Sequence, residues 1–166
     1  MIAIACIDNN WAIGKDNHLL FRIPEDMALF KILTMKGIVV MGMNTWKSMS
    51  CEPLPGRINL VVTSSDNKDD EENKIYFTSF DKVIEKIDEL KDKYNKTDTN
   101  VFLIGGGQLY ESLIDECSKA IISHVSESVK DTDTFFPNLN RKDNWKLSDI
   151  RINHCSFSVL LYEKIY

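Results

Sequence analysis

The 166-residue chain reads as one α/β domain built on a largely parallel sheet covered by helices. Three observations predict this. Strand-like and helix-like periodicities alternate along the chain. The apolar runs IVVM (38–41) and VFLI (101–104) lack polar alternation, as strands buried on both faces do. The length suits one domain with a sizeable core and is too short for two.

Strands are expected at Ile2 to Ile7, Ile38 to Met41, Ile58 to Thr63, Ile75 to Phe77, Val101 to Ile104 and Ala120 to Val125. Two more, near Lys146 to Ile152 and Ser156 to Lys164, are too close for a crossover helix and should pair antiparallel. Pro24 suits a first helical residue, with Leu29, Phe30 and Leu33 following at helical spacing. Phe80, Val83, Ile84, Ile87 and Leu90 form an amphipathic helix opened by Thr78 or Ser79. Leu109, Tyr110, Leu113 and Ile114 mark a helix from Gln108, directly after three glycines. Asp66 to Lys74 and Lys91 to Asn100 read as solvated loops.

Composition narrows the function. A formal charge of -5, with basic residues dispersed among acids, argues against general nucleic-acid binding. No apolar stretch is long enough to span a bilayer. MIAIACI has no basic segment before it and reads as a buried strand rather than a secretory signal, so a cytoplasmic protein is expected. Cys6, Cys51, Cys117 and Cys155 are scattered and read as free, mostly buried thiols, with no metal site expected.

Asp26 is the most informative residue. Its i+3, i+4 and i+7 partners are Leu29, Phe30 and Leu33, so a carboxylate lies on an apolar stripe. It either complements the helix dipole or offers an anion to a ligand with two parallel N–H donors; spacing does not choose. VFLIGGG before a helix resembles a phosphate-binding turn, though a plain tight turn is equally compatible. IVVMG before MNTW makes a second strand-to-helix junction, with Thr45 offering a hydroxyl. PLPGR (53–57) is a rigid turn ending in Arg57, which could grip a carboxylate. His18, His124 and His154 share no mutual spacing, and no serine stands in a nucleophile elbow.

Taken in order, AIGKDNHL, IPEDMALFK, VVMGMNTWKS, PLPGRIN, VFLIGGGQLYE and DTDTFFP resemble the dihydrofolate reductase family from end to end. The resemblance implies an eight-stranded, mostly parallel sheet with an antiparallel C-terminal strand and about four flanking helices. It also implies a single domain over 1–166, with a cofactor adenosine-side subdomain near 37–98. The implied reaction is NADPH-dependent reduction of 7,8-dihydrofolate, with hydride passing to pterin C6 and a proton to N5. Asp26 polarises the ring while water donates that proton.

On this resemblance Leu19, Phe21, Asp26, Ser123 and Tyr110 form the catalytic set. Ile4, Ala5, Cys6, Met27, Phe30, Met49, Leu54 and Ile104 line the substrate site with Asp26, and Arg57 takes the α-carboxylate of its glutamate tail. Ala5, Ile13, Gly14, Leu19, Ile104 and Tyr110 lie toward the nicotinamide. Gly42, Met43, Asn44, Thr45, Gly105, Gly106, Gly107, Gln108 and Leu109 lie toward phosphate and ribose, and the Gly105–Gly106 peptide is cis. Asn9 to Ile23 is a mobile loop over the site. Antifolates such as trimethoprim are expected ligands, and a monomer is expected.

Two departures matter. Leu20 and Phe21 stand where relatives usually have Pro-Trp, which removes an indole donor from the active-site water network. Met43 and Gln108 stand where many bacterial relatives have arginine, and Asn44 where they have histidine. Thr63, Ser64, Ser65 and Lys68 are then left for the 2′-phosphate, and weaker discrimination against NADH is expected. The competing readings are a riboflavin-pathway reductase of the same fold and a catalytically silent pterin-binding module.

Overall fold

The computed structural model describes residues 1–166, without the side chains of residues 152 and 153. β1 (Ile2–Ile7) opens the chain as the expected buried strand. The segment expected as a loop then forms a hairpin, β2 (Ala12–Lys15) and β3 (His18–Leu19), turning through Asp16 and Asn17 at φ 50° and 61°. Positive φ at both central residues matches the right-handed twist of the flanking strands. α1 (Pro24–Thr34) begins with its proline, where no backbone hydrogen bond is lost.

β4 (Ile38–Gly42) runs directly into α2 (Met43–Ser48), and PLPGR leads into β5 (Ile58–Val62) and β6 (Ile75–Thr78). α3 (Val83–Tyr94) follows a 3-10 turn over Phe80–Lys82, with Ser79 at the cap position but no side-chain capping bond. Its last turn corrects the expected loop from Lys91. Lys91 pairs with Asp88 and Asp98 at 2.7 Å each, and Tyr94 packs edge-on against buried Tyr76. β7 (Val101–Gly105) leads to α4 (Gly107–Leu113), one residue earlier than the side-chain pattern indicates. β8 (Lys119–His124), β9 (Thr134–Phe135), β10 (Trp145–Asn153) and β11 (Ser158–Lys164) complete the chain.

The main sheet has the order β10-β11-β8-β1-β7-β4-β5-β6; the strands from β8 to β6 run parallel, and β11 is antiparallel to both its neighbours, β8 and β10. β3, β2 and β9 form a separate small sheet that ties the DTDTFF segment to the early hairpin. α3 and α4 cover one face of the main sheet, packing on Ala3, Ala5, Val40, Leu60 and Leu103. α1 and α2 cover the other, through Phe30, Leu33 and Trp46 on Ile4, Val39, Met41 and Phe102. Among the described residues no helix is long and apolar enough to cross a membrane.

The cysteines are free, but only Cys117 is buried; Cys6 is half-buried, and Cys51 and Cys155 are exposed on turns. Hydrophobic character predicts burial of a thiol only where an element carries it inward.

Leu103 is fully buried in a strand flanked on both sides. Leu103→Ala should lower unfolding free energy by about 2–5 kcal/mol, read from urea denaturation with an unchanged m-value.

Candidate active site

The sheet itself opens the crevice. β1 pairs with β7 only through Ile2–Phe102 and Ala3–Leu103, whereas its ladder with β8 continues to Ile7–His124. Against β4, Val40 faces Leu103 and Met41 faces Gly105, so Ile104 is an extra, bulged residue. The carboxyl ends of β1 and β7 therefore part, and open α/β sheets bind ligands outside such ends. Ile4 and Ile104 flank the opening. The Tyr110 hydroxyl donates to the Ile4 carbonyl at 2.5 Å. Burial foremost, with Cys117 and Cys6 behind it, pushes the phenol above its ordinary range and keeps it a donor.

Asp26 sits in the first turn of α1 and shares a half-buried face with Leu29, Phe30 and Leu33. Ser123 Oγ donates to its Oδ1 at 2.5 Å. Cys6 is the cross-strand partner of Ser123, and its thiol lies beside the same carboxylate. Burial first, then the Asp26 charge and a hydrogen bond to it, push that thiol up to about 12. Among the described residues Asp26 has no cationic partner within ion-pair distance. An ionised carboxylate has about four acceptor sites, and the neutral groups around this one leave some of them for a ligand with paired N–H donors.

The walls are apolar. Phe30, Met49, Leu54 and Ile104 pack on the cluster containing Ile4, Met41 and Trp46. Met27 is 55% exposed on α1. Phe21 packs with Cys6, Leu29 and Ile121 beside Val125 and Phe157. Leu19 is 69% exposed on β3, so packing does not bring it to Asp26. Ala5 and Ile13 belong to the core on the α3 and α4 face, with Tyr110 and Leu109.

Arg57, expected at the end of an open turn, is instead 5% exposed. Its Nε donates to the Pro55 carbonyl at 3.0 Å and a terminal nitrogen to Thr34 Oγ1 at 3.2 Å. Burial pulls the guanidinium below its ordinary value, and among the described residues no carboxylate pairs with it. The turn is held by Asn59, fully buried in β5, which accepts from the Leu54 N–H and donates to the carbonyls of Leu54 and Arg57. Sequence reading missed Asn59, because a polar residue within INLVV carries no sign of its partners.

On the other side of the crevice Gly42 faces Gly105 and Gly106 backbone to backbone. A Cβ on Gly42 would meet Gly106 N at 3.7 Å, and one on Gly105 or Gly106 would meet Thr45 Oγ1 at 3.4 Å. The Gly105–Gly106 peptide is cis. Gly107 has no room for a side chain, since Thr134 and Phe135 of β9 would lie 2.9 and 3.2 Å away. Gly14 is buried against the His18 carbonyl. Asn44 and Gln108 are exposed, Leu109 is buried, and Met43 packs into the α1–α2 core.

Thr63, Ser64 and Ser65 line a cavity of about 560 Å³ with Phe77, Lys82 and Lys86. The two lysines come from the 3-10 turn and α3, and sequence reading did not single them out; Lys68 does not line this cavity. Also missed was Asp8, fully buried, which accepts from the N–H groups of Asn10, Ala12 and Val129. It ties β2 to the segment after β8. Trp11 stacks on Phe136, and Phe136 meets Tyr110 edge-on at 4.6 Å between centroids.

A sequence profile of the dihydrofolate reductase family matches residues 1–158. The chain belongs to the dihydrofolate reductase family. It is similar to the dihydrofolate reductase of Bacillus subtilis, 30% identical over 97% of this chain and 92% of that one. It is also similar to that of Haemophilus influenzae, 31% identical over 88% of this chain and 82% of the relative. Against the bifunctional dihydrofolate reductase-thymidylate synthase of Daucus carota it is 32% identical over 92% of this chain, but it spans only 32% of that protein's length. A solved dihydrofolate reductase from Enterococcus faecalis, complexed with NADP(H) and the ligand RAB-propyl, superposes with a TM-score of 0.75 at 25% identity, covering 98% of this chain and 95% of that one. The eight-stranded architecture expected from the family resemblance is the one observed.

Cys6 and Cys117 are both raised to about 12 from an ordinary 9.0, in each case first by burial. A raised folded-state pKa means the native thiol keeps its proton while the unfolded one loses it. This contribution to stability is complete below about pH 9 and is lost as pH rises toward 12. Urea midpoints should fall across that window, and Cys117→Ala should flatten the fall. An identical slope in the variant would remove the assignment.

Proposed function

We propose that the chain reduces 7,8-dihydrofolate to tetrahydrofolate with NADPH. The observation that carries this reading is Asp26, a carboxylate beside an apolar cluster, held by the Ser123 hydroxyl and with no cation paired to it among the described residues. A neutral heterocycle with adjacent ring N–H and amino donors fits that anion better than a cation does, because two aligned hydrogen bonds orient a flat ring. The backbone at Ile4 and Ile104 would complete the ring's polar contacts, the Ile4 carbonyl accepting from a ring N–H. Phe30, Met49 and Leu54 would grip the aminobenzoyl portion. The buried Arg57, with no carboxylate paired to it among the described residues, suits the α-carboxylate of the glutamate tail.

The glycine face fits a dinucleotide: at Gly42, Gly105 and Gly106 backbone stands where side chains would block a phosphate, and Thr45 supplies a hydroxyl between them. NADP(H) in the Enterococcus faecalis relative supports the same choice. When bound, the cofactor supplies the hydride. The chain's own task is alignment and exclusion of water. Asp26 orients and polarises the ring, Tyr110 fixes the Ile4 carbonyl at the crevice, and the hairpin with β9 covers the opening. The proton for N5 comes from water, with Asp26 favouring its uptake. Diaminopyrimidine antifolates present the same donor edge to Asp26.

For the 2′-phosphate, Lys86 is already paired with Asp69 and Glu89, leaving Lys82 and the hydroxyls of Thr63, Ser64 and Ser65. The ratio of kcat/KM for NADPH over NADH should therefore be smaller than in an arginine-bearing relative assayed alongside; an equal or larger ratio overturns that assignment.

The deciding assay follows loss of reduced nicotinamide absorbance with purified protein, NADPH and dihydrofolate. Turnover is expected. Folded protein that is silent with dihydrofolate, or active only on a pyrimidine ribose compound, would overturn the reading. Asp26→Asn should slow hydride transfer by roughly 10²–10⁴; a variant within about threefold of wild type would strip Asp26 of its role.

A further inference from the structure

Asp26 accepts a side-chain hydrogen bond from Ser123 on β8, and the neighbouring strand β1 places Cys6 directly opposite that serine. Side chains of paired residues in a parallel sheet project from the same face, so Cys6 on β1 and Ser123 on β8 point together toward α1. Ser123 reaches Oδ1 at 2.5 Å, and Cys6 packs into the same apolar cluster as Phe21, Ile23, Ile121 and Leu29, the residue one turn beyond Asp26 on α1.

We propose that Cys6 is a positioning residue for Asp26, its neutral S–H donating to the carboxylate so that, with Ser123, it fixes the anion's plane toward the groove. This rests on the role given to Asp26 in the preceding reading. Phe21, which packs into this cluster, has no donor to offer in place of the thiol. The other groups around the carboxylate leave the role to Cys6. On α1 and the segment before it, Glu25 and Arg22 are exposed to solvent. From β8 comes only the non-titrating Ser123, and from β11 the apolar Val159 and Leu161. From α4, Tyr110 senses Cys6 but donates to the Ile4 carbonyl. The thiol keeps its proton across the working range, because burial and the adjacent carboxylate both oppose its ionisation. A donor that keeps its proton there would hold the carboxylate in one orientation.

The pH profile of single-turnover hydride transfer distinguishes this role from packing. Removing a donor to the charged form disfavours ionisation, so Cys6→Ala and Cys6→Val should move the midpoint up by about half a pH unit or more, the scale of one hydrogen bond to a charged group. Cys6→Ser, which restores a donor, should return it to within about 0.2 units of wild type, a tolerance set well below that one-bond shift. Ala and Val profiles that overlay wild type would overturn the proposal. A serine profile that follows alanine would do the same.

A second measurement needs no turnover. Iodoacetamide labelling of Cys6 followed by mass spectrometry, with exposed Cys155 as internal reference, should run faster in Asp26→Asn by about fivefold or more, since the variant removes the charge that opposes thiolate formation and replaces one acceptor oxygen with an N–H donor. An unchanged rate would overturn the proposal. If wild-type protein turns over while these Cys6 results fail, only this inference falls. If it does not turn over with dihydrofolate but the labelling contrast holds, the Asp26 pairing stands and the assigned reaction falls.

Discussion

The hydroxyl that holds Asp26 comes from Ser123, 97 residues further along the chain. That bond exists only because β8 lies against β1 in parallel, with Cys6 opposite Ser123, and because α1 packs across the same sheet face. The groove depends on this junction. If the β1–β8 register slipped by one residue, Ser123 and Cys6 would turn to the opposite face, and Asp26 would be left with apolar neighbours.

The same central strand accounts for the opening. β1 follows β8 to its end but leaves β7 after Ala3, and β7 bulges at Ile104. Parting strands expose backbone carbonyls on the inner walls, one of which is taken up by Tyr110. Tyr110 is braced in turn by Phe136 and, through it, by Trp11. The early hairpin, the late DTDTFF segment and α4 thus meet around the crevice although they are far apart in sequence. Gly107 is confined by Thr134 and Phe135 at this meeting point, which requires the glycine as much as any phosphate would.

Charge is distributed with similar economy. Asp26 lies in the first turn of α1 and Arg57 bonds to Thr34, the last residue of that helix, and neither has an ionic partner among the described residues. Burying a charge unpaired is costly, and neutral hydrogen bonds from Ser123, or to Pro55 and Thr34, offset only part of that cost. The proposed substrate, donating at one end and anionic at the other, would satisfy both.

The local part of this structure was legible in the chain itself. Uninterrupted apolar runs located the buried strands, Pro24 marked the start of α1, and the spacing of Leu29, Phe30 and Leu33 put Asp26 on a buried face. These depend on periodicity and on short-range steric rules, which one segment carries alone. What the sequence left open was every feature that needs two distant segments. The segment around Asp16 and Asn17 read only as part of a loop, and the third strand of its small sheet comes from residue 134. The burial of Arg57 depends on Thr34 and on the Asn59 clamp, and Lys82 and Lys86 reach the Ser64 cavity only because α3 lies beside β5 and β6. Packing alone decided these, because a side chain's partner is set by the register and layering of elements that the chain joins only in space.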